Sequence, residues 1–118
     1  MIEACNSSIT LVAKALPLNA DFTSPIIDFR DSSHAAIQAI WTPTDSTDGV
    51  FVIHGSLLRL PSSFDDNDVD NSNFIITSGV TSHLWIYKKM SFRYMQLRWK
   101  ANATTTGTVD IYAMGKKV

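Results

Sequence analysis

Hydrophobic residues along this chain come in short runs, each closed by Ser, Thr, Asn, Asp, Gly or Pro. Runs that recur roughly every 8–12 residues are the pattern of a β-sandwich or small barrel, where each strand is brief and ends in a turn. Strands are predicted over 9–13, 25–29, 34–42, 49–56, 73–78, 83–88, 92–101 and 107–114. No stretch shows the 3.6-residue period of an amphipathic helix. About eight strands in a chain of 118 residues leave no room for a second domain.

Period-two alternation indicates which side chains face inward. Ile37, Ala39 and Trp41 share one face of the third run, with His34, Gln38 and Thr42 on the other. Met95, Leu97, Trp99 and Ala101 alternate with Tyr94, Gln96, Arg98 and Lys100. Val109, Ile111 and Ala113 lie opposite Thr108, Asp110, Tyr112 and Met114. One apolar and one mixed face per strand is the mark of antiparallel sheets packed on one side. The fold class expected is therefore all-β: an antiparallel, jelly-roll-like β-sandwich in a single domain over 21–118, preceded by an arm or first strand over 1–20. In 83–88 the alternation leaves two choices: either Leu84 and Ile86 or Trp85 and Tyr87 point inward.

Turn chemistry adds the connections. The link 42–49 ends in Asp48-Gly49, a pair that favours positive φ, so the third and fourth strands are expected to form a hairpin. The stretch 102–107 is expected to do the same for the last two. Residues 62–73, polar and acidic, are the longest connection and are placed at the sandwich rim. The basic end, 115–118, is expected to fray or reach a neighbour.

Composition narrows the function. Hydrophobic residues make up 45% of the chain, which excludes disorder. Charged residues make up only 18%, below the ~25% of an ordinary soluble monomer, so part of the surface is expected to be covered by other subunits. A net charge of −1 offers no basic excess for phosphates, which argues against nucleic acid as a partner. No run reaches the ~20 apolar residues needed to span a bilayer, and no membrane partner is expected. Cys5 is the single cysteine, so neither an intrachain disulfide nor a Cys-cluster zinc site is available. The N-terminus lacks the basic and long apolar segments of a signal peptide, so synthesis in the cytoplasm is expected. The sequons at Asn6 and Asn102 are read as unused without a secretory route.

Few residues suggest chemistry. Asp66, Asp68 and Asp70 place carboxylates at alternate positions, as a calcium loop begins. The sixth position is Asn71 where Gly is needed and the twelfth is Thr77 where a bidentate Glu is needed, so only a looser cation site is in question. His34, His54 and His83 lie on separate strands without metal-ligand spacing. Nucleophile elbows, glycine-rich phosphate loops and dinucleotide fingerprints are absent from the sequence. Neither catalysis nor a cofactor is expected. Among the aromatics, Trp41 and Trp99 belong to the core, whereas Phe51, Phe92, Tyr94 and Tyr112 fall opposite it and together would make an apolar interface. Exposed Trp85 and Tyr87 would instead serve as a platform for stacking sugars.

The order Trp41-Thr-Pro-Thr, Gly49-Val-Phe-Val-Ile-His-Gly55-Ser56, a polar insertion, Leu84-Trp-Ile-Tyr87, Phe92-Arg-Tyr-Met-Gln-Leu-Arg-Trp99 and Thr106-Gly-Thr-Val-Asp-Ile-Tyr-Ala-Met114 resembles small β-sandwich proteins encoded among the virion genes of tailed bacteriophages. The likeness covers about residues 24–116. It departs after Ser56, where Leu57-Leu-Arg-Leu-Pro61 replaces the Asn-Asp-Gly and Trp of that group, so no ligand is carried over to this loop. The resemblance implies a non-enzymatic structural protein of the virion, decorating the capsid or belonging to the tail or accessory set. Its implied partners are other virion proteins and itself, as a homo-oligomer with a trimer favoured. A carbohydrate-binding module that attaches to a host surface is the second reading.

Overall fold

In a computed structural model of the chain, residues 2–3, 9–89 and 92–116 are described. The strands are β1 (Ile2–Glu3), β2 (Thr10–Pro17), β3 (Phe22–Thr23), β4 (Ile27–Asp28), β5 (His34–Trp41), β6 (Val50–Ser56), β7 (Phe74–Ile75), β8 (Ser82–Tyr87), β9 (Tyr94–Lys100) and β10 (Thr108–Lys116). They form two sheets, one ordered β1-β4-β9-β6-β7 with β3 also on β9, the other ordered β2-β10-β5-β8. All pairings are antiparallel except β1 with β4. From β4 onward the chain repeatedly changes sheet, so neighbours within a sheet are distant in sequence. That winding is the jelly roll.

The alternating residues pack between the sheets as their period requires. Ile37, Ala39 and Trp41 face Phe51, Ile53, Leu97 and Trp99 across the sandwich, with Val109, Ile111 and Ala113 beside them. Phe51 is the hub of the aromatic cluster. Its ring centre lies 4.5 Å from that of Trp99, 5.2 Å from Trp41 and 6.1 Å from Trp85. The predicted strand 25–29 is shortened to β4, and the pairing on β9 that β3 begins is interrupted at Pro25, which has no N–H to give; Ser24 spans the break by exchanging bonds with Leu97.

Neither expected hairpin forms. β5 and β6 lie in different sheets, as do β9 and β10, so 42–49 and 101–107 are crossovers between sheets. They run side by side at one end of the sandwich and are stitched by two carboxylates. Asp45 accepts from the Thr105 amide at 2.9 Å and from the Thr105 hydroxyl, which holds its pKa down at about 2. Asp48 accepts from the Ala103 amide, and its carbonyl accepts from Asn102 Nδ2 at 2.6 Å. Turn residues report that the chain reverses; they carry no information about which sheet it enters. Gly107 does take a positive φ, at 103°. Gly49 does not: it is required because a Cβ there would fall inside the Trp99 ring, and Gly55 matches it at the other end of β6, where a Cβ would lie 2.6 Å from Phe92 Cγ.

The long connection after β6 lies across a sheet face as well as along its edge. A 3-10 turn at Pro61–Phe64 sets Phe64, fully buried, beside His54 on β6. His54 Nδ1 donates to the Phe64 carbonyl at 2.7 Å, and Nε2 lies 2.8 Å from Asp68 Oδ1. The chain then returns along the edge of β6, with Val69 N–H donating to the Ile53 carbonyl and Ser72 Oγ bonding both polar groups of Ile53. Residues His54, Ser56 and Gln96, outward by parity, are buried. At the other end of the chain, Gly115 and Lys116 continue β10 and do not fray; 117–118 lie outside the described residues.

Candidate interaction surface

Among the described residues, nothing comparable lies over the outer face of the second sheet. Alternation places Leu84 and Ile86 of β8 outward, Ala36, Gln38 and Ile40 of β5, Asp110, Tyr112 and Met114 of β10, and Leu11 of β2. Strand register aligns them in rows. Leu11, Tyr112, Gln38 and Leu84 form one row, Met114, Ala36 and Ile86 the next, and Asp110, Ile40 and Ser82 the row on the other side. Ile9, just before β2, is 74% exposed and joins the patch, and Ile86 is 60% exposed. Between the rows runs a shallow, largely apolar groove lined by Ile9, Ile40, Leu84, Tyr112 and Met114.

Contiguous apolar surface of this kind is unfavourable in water by roughly 25 cal/mol per Å² and marks a contact site when it forms one patch. The charges on it lie toward its two ends, with exposed Lys14 on the bulge of β2 opposite Asp110 at one of them. Asp110 accepts from the Ala15 amide at 2.8 Å, where β2 bulges and Ala15 takes a φ of 54°. Lys116, in register with His34, is at the opposite end of β10.

This is not the patch expected from sequence. Phe51 is 0% exposed and is the centre of the core, so it is not available to a partner. Along the first half of β6, Val50-Phe-Val-Ile53, both faces are apolar, and the polar phase that points Phe51 inward is carried only by His54 and Ser56 further on. Tyr94 is buried in register with Asp28 and Ser56, and Phe92 is half-buried over Gly55. Of the four, Tyr112 alone lies on the apolar face. The residues missed, Ile9, Leu11, Ile40, Leu84, Ile86 and Met114, carried one signal: large aliphatic side chains in the phase opposite the core.

Trp85 is likewise no sugar platform. It is buried, and its Nε1 donates to the Ser72 carbonyl at 2.8 Å, which settles the two-way choice in β8 in favour of Leu84 and Ile86 outward. Tyr87 is half-buried and lines a hollow with Phe92, Lys89, Asp68 and Asp70. Its hydroxyl has no hydrogen-bond partner among the described residues, and burial raises its pKa to about 12.

The acidic connection is not a cation cage. Asp68 is engaged with His54, and Asp65 accepts from Arg98 at 3.0 Å. Asp66 and Asp70 are exposed, and among the described residues no group of three or more His, Cys, Asp or Glu is placed to hold a metal. The three histidines stay apart, His34 beside Ser33, His54 under Phe64, and His83 stacked on Phe74 at 4.0 Å. No protein-family model and no curated protein matches the chain.

Proposed function

We propose that this domain is a non-enzymatic structural protein that acts by protein–protein assembly, in the setting its sequence resemblance implies, the virion of a tailed bacteriophage. The observation that carries the reading is the apolar outer face of β2-β10-β5-β8. Supporting it are the low charge content of the chain and the jelly roll, a fold used by capsid proteins and lectins; that last support is an analogy of fold. Among its partners are copies of itself. The test is solution mass by light scattering over a range of concentrations, for the wild type and for Leu84→Lys, which places a charge in the central row of the face, on its edge strand β8. Association in the wild type that is lost in Leu84→Lys supports the reading; association untouched by the substitution rejects this face.

The second reading, carbohydrate binding, draws on a different place. The hollow beside Tyr87 and Phe92 joins aromatic surface to the carboxylates of Asp68 and Asp70 and the amine of Lys89, the mixture that sugar recognition uses. Binding on a glycan array that disappears in Asp70→Ala would favour it over assembly.

A further inference from the structure

We infer that the occupant of the apolar face is a second copy of this chain, seated by a two-fold axis that runs across the strands and brings the two sheets together antiparallel. The inference rests on the reading of that face as an interface, and three observations select the arrangement.

The first is symmetry. A single apolar face that meets itself makes an isologous contact, which closes as a pair, whereas a trimer needs two different surfaces of each copy to meet. The second is area. Four strands at ~4.8 Å spacing and about six residues at ~3.3 Å rise give roughly 400 Å² in plan. Side-chain relief adds to this, so two copies together approach the ~1,000 Å² that separates specific interfaces from incidental contacts.

The third is charge. The outward positions of β10 run Asp110, Tyr112, Met114, Lys116, acidic at one end and basic at the other. The basic end is extended by Lys88, which follows Tyr87, itself in register with Ala35 beside His34. An axis along the strands would set Asp110 against Asp110 and the lysines against one another. An axis across the strands, at the level of Ala113 and Ile37, sets Asp110 of each copy toward Lys116 of the other. It also lays the Leu84 row of one copy on the Ile86 row of its mate.

The experiment combines mass with a central cross-link. In a Cys5→Ser background, Gln38→Cys puts one thiol per chain beside the axis, and Lys100→Cys, exposed on β9 of the other sheet, serves as control. The expected result is a species of twice the chain mass that a short flexible bis-maleimide captures covalently through Gln38→Cys and not through Lys100→Cys. Lys116→Glu is expected to raise the dissociation constant about tenfold, with much of the loss recovered at high salt where the like charges are screened. If the wild type associates and Leu84→Lys abolishes it, yet Gln38→Cys gives no covalent dimer, the face is an interface and the antiparallel two-fold is wrong. A wild type that is monomeric at every concentration, or an oligomer indifferent to Leu84→Lys, overturns the interface reading and this inference with it.

Discussion

Replacement of Phe51 by alanine separates a core residue from an interface residue in one measurement. The side chain is fully buried and its ring is within 6.1 Å, centre to centre, of three tryptophans on β5, β8 and β9. Phe→Ala substitutions at such sites cost about 3–5 kcal/mol, from lost transfer energy and the cavity left behind. Each aromatic pair adds about 0.5–1.5 kcal/mol beyond burial, which places this substitution toward the upper end. A domain of this size has about 5–15 kcal/mol in total, so Phe51→Ala is expected to remove a third or more of its stability. Urea unfolding followed by tryptophan fluorescence gives the value directly, because the probes surround the site. The midpoint should fall with an unchanged slope. A loss below about 1 kcal/mol, together with loss of self-association in a folded variant, would show that Phe51 is at the surface and that the faces of β6 are assigned the wrong way round.

Three further outcomes follow from other parts of the fold. Gly49→Ala drives a methyl group into the Trp99 ring, which is held by its Nε1 donating to the Leu18 carbonyl at 3.1 Å, and overpacking of this kind is expected to cost about 1–3 kcal/mol in urea unfolding. Asp45 has a folded pKa of about 2 against an ordinary value of 3.8, so it favours the folded state above pH 4 and this contribution fades as pH falls toward 2; the stability gap between wild type and Asp45→Asn should narrow over that interval, seen by acid titration of circular dichroism. Tyr87 is raised to about 12, so its contribution is present below pH 10 and is lost between 10 and 12. Tyr87→Phe should therefore resist alkaline unfolding better than the wild type and, having no unbonded hydroxyl to bury, should be neutral or up to about 1 kcal/mol more stable at pH 7.

Much of the sandwich can be read from the chain, wherever one face of a strand is polar enough to set the phase. Trp41, Trp99, Leu97 and Ile111 lie inward as that phase requires, and β5, β6, β8, β9 and β10 begin and end within two residues of the predicted runs, whereas β2 runs four residues past its predicted end, β4 and β7 are two residues long, and β3 carried no signal. Legibility stops where both faces are covered. On β6, Val50-Phe-Val-Ile53 has no polar phase, because the connection that buries His54 and Ser56 also removes the need for one. It stops again at the crossovers, since Asp48-Gly49 and Gly107 look like hairpin turns while the bonds that decide the matter, from Asp45 and Asp48 to 103–106, join segments about 60 residues apart. Leu57, Leu58 and Leu60, exposed on the connection itself, follow no strand phase, and nothing in their pattern announced them.

The two sheets are treated differently, and the difference bears on function. The first has part of its outer face closed over by a connection whose anchor is Phe64 and whose fastenings are His54 to Asp68 and Arg98 to Asp65. Most of the acidic residues of that stretch point to water from the covering segment. The second sheet carries Ile, Leu, Tyr and Met in register across four strands, and the few charges it has lie at the ends of β10 and at Lys14 on the bulge of β2 opposite Asp110. Scattered apolar residues on a surface need no explanation; rows of them in register, on a face that none of the described residues covers, do. The same sequence that uses a long insertion to bury part of one outer face leaves the other apolar and, among the described residues, bare. Burial of that second face against another copy would complete in the assembly what the connection does for the first sheet within the chain, and it would account for a charged fraction of 18% in a domain this small.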